Sequence, residues 1–517
     1  MPAIDDAAPA TSQDAGTARR WLKVIDQTRC IGCHACTTAC KSENEVPLSV
    51  TRTYVKSVDV GTFPQARRAF QVTRCNQCED APCVAACPTS AMFRRPDGVV
   101  DFDKQACIGC KACMAACPYD AIFINPDDHS AEKCNLCAHR LDGGLEPACV
   151  VVCPTQAIIV GDLADPDSEA ARIVAREPVT VRRPEKGTRP KLFYRGATQA
   201  TLDPLAARRP AGGTFMWSEI PSGAQQVTSG HPGGASSSAA ALLSYDISHR
   251  APWDWRVSLY TWTKGIAAGV YLVALLLAVT GRAAWSSPLA VWAAPVLAAV
   301  FLTATAGLLV WDLEHPARFF YILTRPQWRS WLVRGGIVLA GYAAVLGLHL
   351  LAGIVGSTGL RQAVAVPGVP LAAMTAIYTA YLFAQAKARD LWQNPLLPPH
   401  LLVQAVLAGA AALLPVAAWW QRDAVTPLTW ILAGGCLAHL LLVLSEVTLT
   451  HPTAHARLAA FELTRGRFRN FFWAAAVLVG AGLAAPLAGA WVAPLALAGL
   501  AMYEHAYVQA GQAVPLA

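Results

Sequence analysis

Cys107-Ile108-Gly109-Cys110-Lys111-Ala112-Cys113-Met114-Ala115-Ala116-Cys117-Pro118 decides how this chain is read. Its C-x2-C-x2-C-x3-C spacing puts three thiols in one tight loop and a fourth just beyond it. Three thiolates from such a loop cap three irons of a cubane, and the fourth points across to a second cluster, so clusters of this kind come in pairs. The same spacing recurs at Cys30, Cys33, Cys36 and Cys40. Two looser groups accompany these, Cys75, Cys78, Cys83, Cys87 and Cys134, Cys137, Cys149, Cys153. All but one of the 17 Cys lie before residue 154.

Other uses of cysteine fit poorly. Disulfides suit small secreted domains, and three Cys within seven residues make a poor geometry for bridging. Zinc knuckles use two thiolates each and need neither a third in the same loop nor the Pro that follows Cys87, Cys117 and Cys153. Residues 28 to about 162 thus form a quadruple repeat. In three copies the cluster is followed by Pro and a short apolar stretch, as in Cys117-Pro118 to Ile124, which reads as short strands or turns of a loop-rich fold. From about 163 to 250 the sequence is rich in Pro, Gly, Ser and Arg, with Gly230-His231-Pro232-Gly233-Gly234 as its extreme. That is a linker or surface-wrapping segment with little periodicity to place helices.

Beyond Trp262 the pattern changes to roughly eight apolar runs, near 262 to 281, 289 to 311, 332 to 354, 368 to 386, 400 to 420, 427 to 449, 470 to 485 and 491 to 510. Most hold about 20 residues, enough to cross a hydrocarbon core of roughly 30 Å. A soluble helical core would need polar faces at helical period, and these runs are apolar nearly all round. Pro486 and Pro494 crowd the turn between the last two. The expected fold is an α+β ferredoxin-like iron-sulfur domain over 1–162, a linker or wrapping segment over 163–255, and an all-α transmembrane bundle of about eight helices over 256–517.

Charge bounds the partners. The formal net charge of +7 is modest for 517 residues and forms no basic stripe, which argues against nucleic acid. Met1 to Gln27 contains Arg19-Arg20 but no apolar stretch behind it, so neither a Sec nor a twin-arginine signal is expected. With the first helix starting from the cluster side, the even-to-odd loops carry Arg318, Arg325, Arg329, Arg334, Lys387, Arg389, Arg457, Arg465, Arg467 and Arg469. The opposite loops carry Arg282, Arg361 and Arg422. By the positive-inside rule this is an integral inner-membrane protein whose iron-sulfur domain faces the cytoplasm. Docking of the cluster domain or a partner by these arginines is the competing explanation.

The order and spacing of the cysteine groups, including the long gap from Cys137 to Cys149, resemble the four-cluster ferredoxin subunit of the dimethyl sulfoxide and polysulfide reductase type. That resemblance implies crossed pairing. Cys30, Cys33 and Cys36 would join Cys153, and Cys134, Cys137 and Cys149 would join Cys40. Cys75, Cys78 and Cys83 would join Cys117, and Cys107, Cys110 and Cys113 would join Cys87. No cysteine is missing, so four [4Fe-4S] clusters are implied. Lys41 instead of Pro follows Cys40, which alters the local turn and removes no ligand.

Trp311-Asp312-Leu313-Glu314-His315-Pro316-Ala317-Arg318-Phe319 resembles the signature after the second helix of polysulfide reductase (NrfD-like) membrane subunits. Thr263 to Gly269, Ile377-Tyr378-Thr379-Ala380 and Tyr507 to Gln512 are further matches. The protein therefore looks like a cluster subunit fused to its quinone-reactive anchor. The resemblance implies a catalytic oxidoreductase subunit on another chain, of the molybdopterin type, acting on an oxyanion or on a sulfur or N/S-oxide compound. A hydrogenase or a larger quinol-oxidising complex is the alternative. No molybdopterin-, nickel- or flavin-binding signature is evident in this chain.

A quinone carbonyl gains or loses a proton with each electron, so its pocket needs hydrogen-bond donors and a titratable relay near the last cluster. Lys264, Asp312, His315, Arg318 and Tyr378 have suitable chemistry near the cluster-facing ends of the runs. Each has a structural alternative: Lys264 snorkelling, Asp312 pairing with Arg318, Tyr378 in an interfacial belt. His439 and Glu446 in the sixth run fit either a buried proton path or a packing pair, and Cys436 fits a small core residue. The reading is an electron-transfer subunit exchanging electrons with the quinone pool. A redox-coupled ion-translocating membrane protein is the reading from another class.

Overall fold

The computed structural model describes residues 19–62, 64–208 and 241–517. Most of the stretch read for a leader and the Gly230–Ser238 run lie outside the described residues.

Among the described residues eleven strands serve the N-terminal domain: β1 (Trp21–Asp26), β2 (Thr53–Val60), β3 (Arg67–Arg74), β4 (Met92–Arg94), β5 (Val100–Phe102), β6 (Ile122–Ile124), β7 (Ala131–Lys133), β8 (Ile158–Asp162), β9 (Val179–Thr180), β10 (Leu192–Arg195) and β11 (Leu242–Tyr245). The main sheet has the order β8-β1-β10-β9 and a second one β11-β2-β3. β1 is buried from Leu22 to Asp26 because β8 and the parallel β10 flank it, and this encloses Lys23 and Asp26 together with the apolar Leu22, Val24 and Ile25. The β4–β5 and β6–β7 pairs follow the second and third cysteine groups. Between cysteines the backbone makes single helical turns. Pro82 opens Pro82–Ala86, and Lys111, in the left-handed region at φ 59, opens Ala112–Ala116.

The segment after 162 does more than connect. Glu169–Arg176 is an amphipathic helix whose Ala170, Ala171 and Ile173 are buried, and β10 and β11 complete the two sheets. The helix is too short for helical periodicity to stand out among its Pro- and Asp-rich neighbours.

Among the described residues seven helical segments are long and apolar enough to span a membrane: α1 (Trp255–Val279), α2 (Leu289–Trp311), α3 (Trp331–Ile354), α4 (Thr358–Ala384), α5 (Leu397–Trp420), α6 (Arg422–Thr448) and α7 (Arg469–Ala513). The last contains both of the final apolar runs. It breaks between Ala481 and Ala493, with Gly489 at φ 64, and its arms Arg469–Ala481 and Ala493–Ala513 pack together. α1 is the hub, touching α2, α4, α5 and the second arm of α7. Its Asp254 caps the helix by accepting from Arg256 N at 2.8 Å. Gly269 and Gly409 bring α1 and α5 backbone to backbone, and a Cβ on either would overlap the other helix. Cys436 is buried in this core, facing Gly482. On α2, α3 and α6 large apolar side chains such as Val300, Leu348 and Leu441 point outward, as a lipid-facing surface requires.

Candidate functional site: four thiol groups and the seam to the membrane helices

The cysteines gather in four groups, each drawing three members from one motif and one from another. Cys30 has Cys33, Cys36 and Cys153 as its thiol neighbours. Cys40 has Cys134, Cys137 and Cys149, and Asn44 Nδ2 bridges Cys40 Sγ at 3.7 Å and Cys137 Sγ at 3.6 Å. Cys75, Cys78, Cys83 and Cys117 line one cavity, and Cys87, Cys107, Cys110 and Cys113 line another. Backbone amides point at several sulfurs, as Met92 N does to Cys87 at 3.4 Å and Ala157 N to Cys153 at 3.2 Å. Convergent sulfurs with amide donors around a cavity fit a thiolate-held iron-sulfur cubane.

The groups stand in a row. Cys36 neighbours Cys149, Cys134 neighbours Cys75, and Cys83 neighbours Cys113. Cys33 is exposed at one end, while the Cys110 group is fully covered at the other. What covers it is the bundle. Trp253 Nε1, at the entry to α1, donates to Cys110 O at 3.3 Å. The loop after α2 runs along the third motif: His315 N donates to Ile108 O at 3.2 Å, and Arg318 Nη1 donates to Lys104 O at 3.0 Å and Cys107 O at 2.9 Å. Lys111 Nζ lies 3.4 Å from Asp312 Oδ1 and 3.1 Å from Glu314 Oε1. Farther along, Gln327 N donates to Pro88 O at 2.9 Å and Ser330 Oγ to Ala86 O at 2.8 Å.

Of the five residues read for quinone, three therefore sit at this seam. Burial raises the Asp312 carboxyl to about 6 against the opposing pull of Lys111. Burial also lowers the His315 imidazole, helped by Arg318, and its Nε2 has no hydrogen-bond partner. Asp312 pairs with Lys111, and more distantly with Arg256 at 3.8 Å, while Arg318 bonds carbonyls of the cluster domain. The other two lie inside the bundle. Lys264 Nζ on α1 donates to Thr379 Oγ1 at 2.6 Å and Ala376 O at 2.9 Å, and stands 4.8 Å from the centroid of the Tyr378 ring. Tyr378 packs against Gly335 of α3.

Glu504, on the second arm of α7, is the buried carboxylate that Lys264 faces, and the sequence reading passed over it. A single carboxylate within an apolar run was the available signal. His439 and Glu446 have separate partners. His400 Nε2 and His439 Nδ1 are 2.9 Å apart, and Glu446 accepts from Tyr503 OH at 2.9 Å and Asn394 Nδ2 at 3.1 Å. The Tyr507 to Gln512 stretch closes the seam from the far end, since Trp253 N donates to Gln512 Oε1 at 3.1 Å.

Comparison with known proteins agrees with this division. Residues 67–163 match the 4Fe-4S dicluster domain family, and residues 244–501 match the family of polysulphide reductase, NrfD. Over 210 residues the sequence is 42% identical to a tetrathionate reductase subunit of Salmonella typhimurium, a match covering 39% of this protein and 81% of that one. Over 179 residues it is 42% identical to a polysulfide reductase component of Wolinella succinogenes, covering 34% and 94%. With the arsenate respiratory reductase iron-sulfur subunit of a Shewanella species it shares 34% identity over 219 residues, 33% and 94% of the two sequences.

Proposed function

From the premise that this protein belongs to the 4Fe-4S dicluster family of reductase iron-sulfur subunits, joined here to an NrfD-type membrane subunit, we propose that it relays electrons between quinol in the bilayer and a molybdopterin enzyme docked at its Cys33 end. It is an electron-transfer subunit and a multi-pass membrane protein, with [4Fe-4S] clusters and quinone as its cofactors. The observation that carries the reading is the row of thiol groups ending against the membrane helices.

The proposed ligand sets are Cys30, Cys33, Cys36, Cys153; Cys40, Cys134, Cys137, Cys149; Cys75, Cys78, Cys83, Cys117; and Cys87, Cys107, Cys110, Cys113. Lys264 and Tyr378 are proposed as contacts of the quinone head group, with Asp312 and His315 as the proton relay and Arg318 as the clasp that fixes the last cluster beside them. Domain limits of 1–162 for the cluster domain and 256–517 for the bundle are proposed from where the sulfurs end and the apolar helices begin, with 163–255 as a wrapping segment whose β9, β10 and β11 complete the sheets of the first. The cluster domain is proposed to face the cytoplasm, on the arginine bias of the loops. Of those arginines Arg318 bonds the cluster domain, while Arg334 Nε and Arg457 Nη1 turn to Trp328 O and His451 O of their own loops. Docking does not account for these two.

The test is affinity purification of the full-length protein from membranes, with metal analysis of what accompanies it. Molybdenum or tungsten in a co-purifying polypeptide supports the proposed partner; nickel in its place moves the reading to a hydrogenase. A second reading, redox-coupled ion translocation, draws on the buried His400–His439 and Tyr503–Glu446–Asn394 groups. Proton movement in proteoliposomes beyond that of quinone chemistry would favour it.

A further inference from the structure

Two buried cations converge on one cysteine. Lys23, on β1, places Nζ 3.8 Å from Cys149 Sγ, and Arg74, at the end of β3, places Nη1 3.0 Å from the same sulfur. Lys23 is 3% exposed and Arg74 1%. Among the described residues neither cation forms an ion pair with a carboxylate, and Arg74 Nε and Nη2 have no hydrogen-bond partner. A buried charge must be paired or neutralised, and arginine does not give up its proton in proteins. Its counter-charge is therefore the thiolate site itself.

Two other buried cations of this domain pair with carboxylates, Arg52 with Glu132 at 3.0 Å and Lys111 with Asp312 and Glu314. Lys133, the cation beside Cys75 and Cys83, donates to the carbonyls of Val100 and Cys134, and among the described residues it makes no hydrogen bond to sulfur.

We propose that Arg74, supported by Lys23, makes the cluster of Cys40, Cys134, Cys137 and Cys149 the most easily reduced of the four, a holding point for one electron inside the relay. The proposal rests on the ligand sets given above. Reduction adds negative charge to an already anionic site, and fixed positive charge with hydrogen bonds to sulfur favours that form. One electron leaves a neighbouring cluster and arrives here; the neighbour is oxidised by one, this cluster is reduced by one, and no proton or bond changes. The site is second in the row from the exposed Cys33 end. An electron resting there lets a one-electron wire serve quinol and a catalytic partner that each handle two. Arg74 is thus a positioning residue for charge, outside the chemistry at either end.

The experiment is a redox titration followed by EPR on the anaerobically purified full-length protein, in wild type, Arg74→Gln, Arg74→Lys and Lys23→Met. In Arg74→Gln one signal of the four loses at least tenfold in its reduction equilibrium, about 59 mV for a one-electron couple. Lys23→Met moves the same signal by less, and Arg74→Lys recovers most of the loss. Unmoved signals with iron retained, or a shift spread evenly over all four, overturn the proposal. Where Arg74→Gln loses iron, Lys23→Met decides, and full iron with no shift in that variant overturns it as well. A wild type that itself lacks four clusters fails the ligand sets instead, before any variant is compared.

Discussion

The guanidinium of Arg318 donates to the carbonyl oxygen of Cys107 at 2.9 Å, so a loop between two membrane helices grips the backbone of a cysteine in the last thiol group. The contact joins the two halves where electrons have to cross. Its neighbours Lys111–Asp312 and Ser330–Ala86 make it one of several, and Arg318 is only half-buried.

Arg318→Ala should therefore loosen the seam without dismantling either half. Hydrogen bonds to a charged donor contribute about 1.5–3 kcal/mol each, less where solvent reaches them. Hydrogen exchange should rise over Lys104–Lys111, and quinol-driven cluster reduction should slow severalfold at unchanged iron content. Exchange equal to wild type would show that the loop is held by its other contacts.

Lys264→Gln addresses the interior of the bundle. Lys264 sits beside Tyr378 and faces Glu504, with no route to water of its own. Reduction of the clusters by added quinol should fall at least tenfold, while dithionite still reduces them fully. Equal loss with both reductants would assign Lys264 to folding.

Cysteine variants separate ligands from filler. Cys113→Ser should remove about four irons of roughly sixteen and the signal of the cluster nearest the membrane. Cys436→Ser should leave iron content unchanged, since Cys436 lies in the bundle core against Gly482. Equal iron loss in both would remove the distinction between them.

His249 gives the N-terminal domain a pH dependence of defined sign. Its Nδ1 is 2.5 Å from Asp120 Oδ2 and its Nε2 3.1 Å from Asp246 Oδ1. Burial opposes the imidazolium, but the two carboxylates prevail and raise its pKa from 6.5 to about 9. A group raised on folding stabilises fully below its unfolded value and loses that contribution as pH climbs through its folded value. Thermal stability should thus decline between about pH 6.5 and 9, and His249→Gln should flatten that limb. The same slope in the variant would assign the decline elsewhere.

The cysteine spacings made the iron-sulfur half legible, because a ligand set is written in order along the sequence. The crossed partnering of Cys153, Cys40, Cys117 and Cys87 came only through resemblance, since it depends on how the motifs fold over one another. Apolar length revealed the bundle, yet the last two runs belong to one broken segment whose turn at Gly489 composition alone does not place. Asp312, His315 and Arg318 were chosen for their residue types, and proximity to the cluster domain emerged only in three dimensions. Lys23 and Arg74 escaped notice altogether. A lysine in an apolar strand and an arginine before a cysteine look ordinary until both reach one sulfur.

Electrons are expected to cross from lipid-dissolved quinol to the sulfur-bound irons through the Cys107–Arg318 seam. Mixing the anaerobic, fully loaded protein in detergent with a reduced quinone and following the cluster absorbance and EPR tests this directly. Bleaching of the clusters with matching oxidation of quinol, two electrons for each quinol consumed, is the expected result. Clusters that dithionite reduces but quinol leaves oxidised, across quinones of differing potential, would contradict it.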